Sequence, residues 1–297
     1  MSEQYDHIQT CVEHPVFIVG TMRSGTSYLG LELNKAKELI GCPFELRRVW
    51  SKYGKVPMAS DVIDTACPAL EAEDAWPGQK EAMRRALSDE VRKNLNGKIL
   101  NESSRVLNKN PHLSNKLFLV DQLFPKASYV WTLRNLEDVV CSLKNLFLRP
   151  FFKENDCYHI WPEVNGRPRC FSVAGKNELS DLDINRVFPG GDVVHLAEYW
   201  LETNRAVSAF FKSLPRARLV SVIHERVLHD SASVASTLER RLCLSPGSLS
   251  DMSQTASESS TKDWSFSLSD QEKAQLSAFE RSHRDEIQAI LAFCNSL

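Results

Sequence analysis

The stretch that most constrains this chain is PVFIVGTMRSGTSYL, residues 15–29. An apolar run ends at Gly20, a second glycine follows at Gly25, and the hydroxyls of Ser24, Thr26 and Ser27 surround it. A short, wholly apolar run reads as a strand buried on both faces. The residues from Thr26 to about Leu39 read as a helix. A strand that turns through glycine into a helix aims several backbone N–H groups at one point, and the helix dipole adds positive potential there. The glycines hold the spacing of the phosphate cradle G-x-x-x-x-G-K-[ST], but Thr26 stands at the lysine position. In nucleoside triphosphatases that lysine reaches the β and γ phosphates. Here the loop offers Arg23 instead, a planar, bidentate ligand for oxyanions.

Three more apolar runs read as strands, Ile99–Glu102, Tyr129–Leu133 and Arg218–Ile223, beside Val16–Val19. Helical patterns separate them, which is the signature of an α/β sheet. Asn135 caps a helix that carries Glu137 and Asp138 in its first turn. Residues 194–214 place Leu196, Trp200, Val207, Phe210, Phe211 and Leu214 near one helical face. The last helix opens on a capping box, Ser269 to Glu272. These signals predict a single α/β domain over residues 1–297, a three-layer fold with a central parallel sheet of four or five strands flanked by helices. Residues 45–97 read as irregular helices inserted between the first two strands. Residues 149–192 are aromatic, rich in Gly, Pro and Asn, and read as a flap over the substrate; 245–262 read as a Ser-rich loop.

The net charge of -2 gives no general attraction to nucleic acid or to an anionic membrane, so an anion site must be built locally. No apolar run approaches a membrane span, and the polar, acidic start of the chain does not read as a signal peptide. Eight cysteines with no C-x-x-C pair read as reduced thiols, which predicts a cytoplasmic protein. His7, Cys11 and His14 lack a fourth ligand, so this end reads as an untethered terminus and not a metal site.

Residues 15–29 resemble the 5′-phosphosulfate loop of the sulfotransferases that use 3′-phosphoadenosine 5′-phosphosulfate (PAPS). FPKASYVWTLRNLEDVVCSL, with Arg134 followed eight residues on by Ser142, resembles the 3′-phosphate motif of the same family. NKNPHL at 108–113 resembles the Lys-x-Pro stretch between them. The resemblance covers residues 15–147, with weaker likeness in LVSVIHERVL, TKDW and the final helix, and it points to the carbohydrate and tyrosylprotein branch. It implies a P-loop fold, PAPS as donor, adenosine 3′,5′-bisphosphate (PAP) as product, and no metal. Arg23, Ser24, Gly25, Thr26 and Ser27 would hold the phosphosulfate, and Arg134 with Ser142 the 3′-phosphate. A donor that ends at one sulfuryl group has no further phosphate for a loop lysine to reach.

Sulfuryl transfer needs an in-line donor, charge neutralised on the bridging oxygen, and a proton removed from the acceptor. The resemblance assigns the second task to Lys109. For the base it offers Glu45, placed like the catalytic Glu of tyrosylprotein sulfotransferases, and His112, three positions after Lys109 where small-molecule sulfotransferases carry a His two positions on. Two departures stand out: Met22 replaces the common Pro before Arg23, and His224 replaces the Tyr of a Tyr-Glu-Asp stretch. Lys262 to Trp264 would lie near the 3′-phosphate. The expected acceptor is a hydroxyl or amine of a carbohydrate or specialised small molecule. Two other readings stay open: a P-loop kinase or nucleotide hydrolase, and a non-catalytic nucleotide-binding protein.

Overall fold

The computed structural model describes residues 2–56, 69–147, 157–160, 172–175, 187–188, 193–252 and 268–297. Strand β1 (Val16–Gly20) lies at the centre of a five-stranded sheet with β2 (Leu39–Gly41), β3 (Arg105–Lys109), β4 (Ser128–Leu133) and β5 (Leu219–Ile223). The order is β2-β3-β1-β4-β5, and every pairing is parallel.

Alternation along each strand explains why β1 is apolar throughout. Phe17 and Val19 enter one core and Val16 and Ile18 the other. Strand β4 follows suit, with Tyr129, Trp131 and Leu133 on the first side and Val130 on the second. The first core is closed by α1 (Ser2–Glu13), α3 (Arg47–Lys52), α4 (Gln79–Lys93), α5 (Leu117–Leu123), α6 (Leu136–Phe147), α7 (Val193–Ser213), α10 (Asp270–Ser282) and α11 (Arg284–Asn295). The second is closed by α2 (Thr26–Leu33), α8 (His224–His229) and α9 (Ser231–Arg241). Covering both faces removes every central strand from water, as parallel sheets require. Rings concentrate on the first face: Phe17 contacts Trp50, Phe124 and Tyr129, with centroids 5.7–6.1 Å apart. The polar ends of the buried indoles are paired, Trp50 Nε1 with Asn108 Oδ1 at 2.9 Å and Trp131 Nε1 with Asn204 Oδ1 at 3.1 Å.

The structure corrects several expectations. The strand expected at Ile99–Glu102 is absent, and Ile99 is 86% exposed. The strand is β3, RVLNK, disguised by its polar residues. Those residues find partners only in the fold: Arg105 donates to the His14 carbonyl and to Ser128 Oγ, and Asn108 accepts from Trp50. Helix α2 ends at Leu33 rather than near Leu39, and β2 follows. Lys98 Nζ stops it there by donating to the carbonyls of Asn34, Leu39 and Ala36 at 2.5, 2.6 and 2.9 Å, a cap from some sixty residues away. The N-terminus is not untethered. It forms α1, and Ile8, Cys11 and Val12 are buried. The final helix keeps its capping box but breaks at His283 into α10 and α11. The 45–97 segment lies between β2 and β3 and supplies α3 and α4.

Within the 149–192 segment only a small antiparallel sheet is described, Cys157–Ile160 between Ser172–Gly175 and Val187–Phe188. The rest of the expected flap, and residues 253–262 of the Ser-rich loop, lie outside the described residues. No described helix is long and apolar enough to cross a membrane.

Phe17 is 1% exposed and touches three rings, so Phe17→Ala is expected to cost about 3–5 kcal/mol of stability. Urea unfolding measures this, and an unshifted midpoint would remove Phe17 from the core.

Candidate active site

The loop after β1 is held in shape by side chains from three other parts of the chain. Gly20 has φ 137°, and a Cβ there would come within 2.3 Å of the Thr132 carbonyl. Only glycine lets β1 leave the sheet so close to β4. Ser114 Oγ accepts from the Gly20 N–H at 2.9 Å and donates to its carbonyl at 2.8 Å. Ser24 Oγ, fully buried, donates to the Thr21 carbonyl and meets Thr132 Oγ1 at 2.8 Å. Tyr199 Oη, from α7, accepts from the Met22 N–H at 2.8 Å. Arg23 has φ 68°, a left-handed conformation that is costly for a non-glycine residue and is sustained here by this framework. Gly25 begins α2 with φ 94°, and a Cβ there would meet His224 Nδ1 at 2.7 Å. Thr26 is buried in the first turn of α2, and Ser27 is exposed beside it.

Residues predicted from remote segments meet at this loop. Arg23 Nε donates to Ser142 Oγ at 2.9 Å. Arg134, just beyond β4, donates from Nη1 to the Arg23 carbonyl at 3.3 Å and faces Asp138 at 3.5 Å. The Trp200 indole holds the Arg134 carbonyl at 2.8 Å. Arg134 Nε is buried and has no hydrogen-bond partner among the described residues. A buried guanidinium donor without an acceptor carries a desolvation cost that an incoming anion would remove.

Glu45, Lys109 and His112 form a second cluster. Lys109 Nζ lies 2.6 Å from Glu45 Oε1. Arg47 grips the other oxygen at 2.7 Å, and His112 Nε2 stands 3.6 Å from it. Arg47 Nη2 is 3.3 Å from His112 Nε2, and Asn110 Nδ2 donates to the Glu45 carbonyl at 2.8 Å. Glu45 and Leu46 both have positive φ, 58° and 54°, so the carboxylate is held on a strained turn. Burial opposes charge on Glu45, yet His112, Lys109 and Arg47 outweigh it and draw its pKa down to about 2. Burial pushes His112 down to about 4, against the pull of Glu45. His112 is therefore neutral near pH 7, and Lys109 and Arg47 are the charges that keep Glu45 ionised there.

The two clusters share α2. A Cβ on Gly30 would come within 3.2 Å of Lys109 Cβ, so the missing side chain lets the lysine stem cross the helix. Ser27, Gly30, Leu31, Glu45, Arg47 and Lys109 line one cavity of about 700 Å³. His112 is not on its wall; it sits behind Glu45, 5% exposed.

Every residue predicted for the site lies in one of these clusters, whereas Lys262 to Trp264 lie outside the described residues. Sequence reasoning missed Ser114, Thr132 and Tyr199, which carry no motif and act across 94 to 177 residues of chain. Arg47 was not predicted either, although its place two residues after Glu45 was an available signal. No cluster of three or more metal-ligating side chains occurs among the described residues.

Comparison with known proteins bears on the family and the fold. No curated protein sequence matches the chain. Among solved structures, a sulfotransferase from Mycobacterium avium aligns with TM-score 0.53 at 14% identity, over 97% of this chain and 80% of its own. One from Alicyclobacillus acidocaldarius aligns with TM-score 0.52 at 14% identity, over 94% of this chain and 96% of its own. At such identity these two establish the fold, a parallel α/β sheet of the P-loop kind. The model described as "Sulfotransferase family" matches residues 15–167, just over half of the chain and the half that carries β1 to β4 and both clusters. The chain belongs to the sulfotransferase family.

Proposed function

We propose that this protein transfers a sulfuryl group from PAPS to a hydroxyl or amine of a carbohydrate or small-molecule acceptor, releasing PAP, with Glu45 as general base. The observation that carries this reading is the 2.6 Å contact of Lys109 with Glu45 in a cavity walled by Ser27 and Gly30 of the anion-loop helix. A cation for the leaving oxygen and a carboxylate for the acceptor proton thus stand together, next to the loop. The buried, unpartnered Nε of Arg134 supports a second anion site on the other side of that loop.

The donor supplies an activated sulfuryl group, whose bond to the bridging oxygen breaks as sulfur bonds to the acceptor. Arg23 and the N–H groups at the start of α2 would orient the phosphosulfate, and Arg134 and Ser142 the 3′-phosphate. Lys109 would neutralise charge growing on the bridging oxygen. Glu45 would take the acceptor proton. It lines the cavity, whereas His112 is buried behind it, which favours Glu45. A carboxylate held near pKa 2 is a weak base, but Lys109 is one of the charges holding it there. Once Lys109 turns to the donor, Glu45 loses that charge and becomes more basic.

ATP chemistry is disfavoured by Thr26 at the lysine position. A purely binding role is disfavoured by the ion-paired Glu45 on its strained turn. Calorimetry with PAP and with ATP-magnesium separates these readings. Arg134→Ala is expected to weaken PAP binding about 10- to 100-fold, through loss of charged hydrogen bonds worth about 1.5–3 kcal/mol. Equal or tighter binding of ATP-magnesium would overturn the assignment.

Turnover tests the base. Glu45→Gln is expected to lower kcat about 10²- to 10⁴-fold, and His112→Gln by less. Both candidates have folded pKa values below the usual range, so both are deprotonated above pH 5. At saturating acceptor, kcat/KM for the donor starts from the protein before Lys109 turns, and should have no acid limb from these groups between pH 5 and 8. A limb near pH 4 that vanishes in His112→Gln would transfer the role to His112.

A further inference from the structure

The cavity beside Lys109 and Glu45 carries polar groups that the chemistry proposed above does not use. Both cations on its wall, Lys109 and Arg47, are held by Glu45. Three carboxamides share that wall, Asn34, Asn94 and Asn96. The fold orients two of them. Asn34, at the end of α2, accepts the Gly41 N–H on Oδ1 at 2.8 Å, with Lys98 Nζ 3.4 Å from the same atom. Its Nδ2 is left without a hydrogen-bond partner among the described residues. Asn94, at the end of α4, is turned the other way. Its Nδ2 donates to the Glu90 carbonyl at 2.8 Å, and its Oδ1 is left without a partner among the described residues. An N–H needs an acceptor and a carbonyl a donor, so these contacts fix which end of each carboxamide is free. One wall thus offers a donor from Asn34 and an acceptor from Asn94. Asn96 lies two residues beyond, with φ 49°, a left-handed conformation that asparagine tolerates.

We propose that the acceptor is a neutral sugar, and that Asn34 and Asn94 recognise hydroxyl groups flanking the one that is sulfated. The inference rests on the PAPS reading above. A hydroxyl both donates and accepts. One such group takes the Asn34 N–H, another donates to Asn94 Oδ1, and a third presents its proton to Glu45. In the transfer, sulfur bonds to that third oxygen, its bond to the bridging oxygen of the donor breaks, and the proton passes to Glu45. A site built to hydrogen-bond hydroxyls rejects an analogue that lacks them, because its own polar groups are then desolvated and unpaired. A phenol, with one hydroxyl on an aromatic ring, is such an analogue. An anionic acceptor is disfavoured for another reason: Glu45 already holds the two cations on this wall. The cavity volume of about 700 Å³ falls within the range of small-ligand sites, roughly 300–1,000 Å³.

The test is sulfation of defined acceptors by the intact protein with radiolabelled PAPS. The probes are the methyl pyranosides of glucose, galactose, mannose and N-acetylglucosamine, their monodeoxy analogues, and p-nitrophenol. At least one methyl pyranoside is expected to be sulfated with kcat/KM about tenfold or more above that for p-nitrophenol. For that sugar, removing a hydroxyl beside the sulfated one should lower kcat/KM about 10- to 100-fold. Asn94→Leu should lower kcat/KM for the parent sugar by a similar factor, and should have little further effect on one of the deoxy analogues, the one that lacks the hydroxyl Asn94 reads. A preference for p-nitrophenol, no sulfation of any pyranoside, or deoxy analogues that react like their parents would each overturn the inference. PAP binding by calorimetry separates that result from failure of the reading beneath it. A wild type that binds PAP keeps the PAPS reading, and one that does not bind PAP loses it. Should Asn94→Leu not fold, the deoxy series on the wild type decides alone.

Discussion

The close approach of Gly20 to Thr132 is the contact on which the rest of the site depends. Strands β1 and β4 pair in parallel, with Gly20 opposite Thr132, so the chain leaves β1 directly against the end of β4. Two residues later β4 delivers Arg134, whose guanidinium reaches the Arg23 carbonyl. Register thus brings two segments more than a hundred residues apart together as the proposed anion site. A side chain at Gly20 would push these strands apart, and buried hydroxyls from Ser24, Ser114 and Thr132 hold the backbone where it comes closest. In this frame the loop amides and the arginines need little rearrangement to meet an anion, which is the preorganisation that electrostatic catalysis uses.

The second cluster solves a different problem. In the proposed role of Glu45 as base, the carboxylate must reach the acceptor, yet must not be neutralised by burial. Glu45 is largely buried and remains ionised because Lys109 and Arg47 each hold one of its oxygens. Lys109 arrives from the end of β3 and Glu45 from the turn after β2, neighbouring strands of the sheet. The carboxyl ends of adjacent parallel strands therefore bring the pair together, as expected of sites in open α/β sheets. Gly30 leaves room for the lysine stem across α2, which couples this cluster to the anion loop.

Legibility in the sequence followed the range of the interactions. Strand β1, the loop and α2 were readable because their signals are local: an apolar run, two glycines at fixed spacing, a helix start. Strand β4 and the Arg134–Ser142 pair were readable for the same reason. Strand β3 was missed because Arg105, Asn108 and Lys109 look unfit for a central strand until His14, Trp50 and Glu45 are placed beside them. The end of α2 was missed because its cap is the ammonium of Lys98. The helical N-terminus was missed because Ile8, Cys11 and Val12 are a short stripe with no partner in view.

By itself, the sequence determined the strand-loop-helix turn without a lysine as a candidate anion cradle, the separate Arg134 motif, and the identities of Glu45, Lys109 and His112 as candidates for chemistry. These rest on residue type and spacing over a few turns of chain. Only the tertiary structure decided that Arg23 binds Ser142, that Glu45 faces the cavity while His112 stands behind it, and that His224 lies on Gly25. The reason is physical: local spacing sets backbone geometry, whereas burial, pairing and the resulting proton affinities are set by neighbours that strand order brings together from distant parts of the chain.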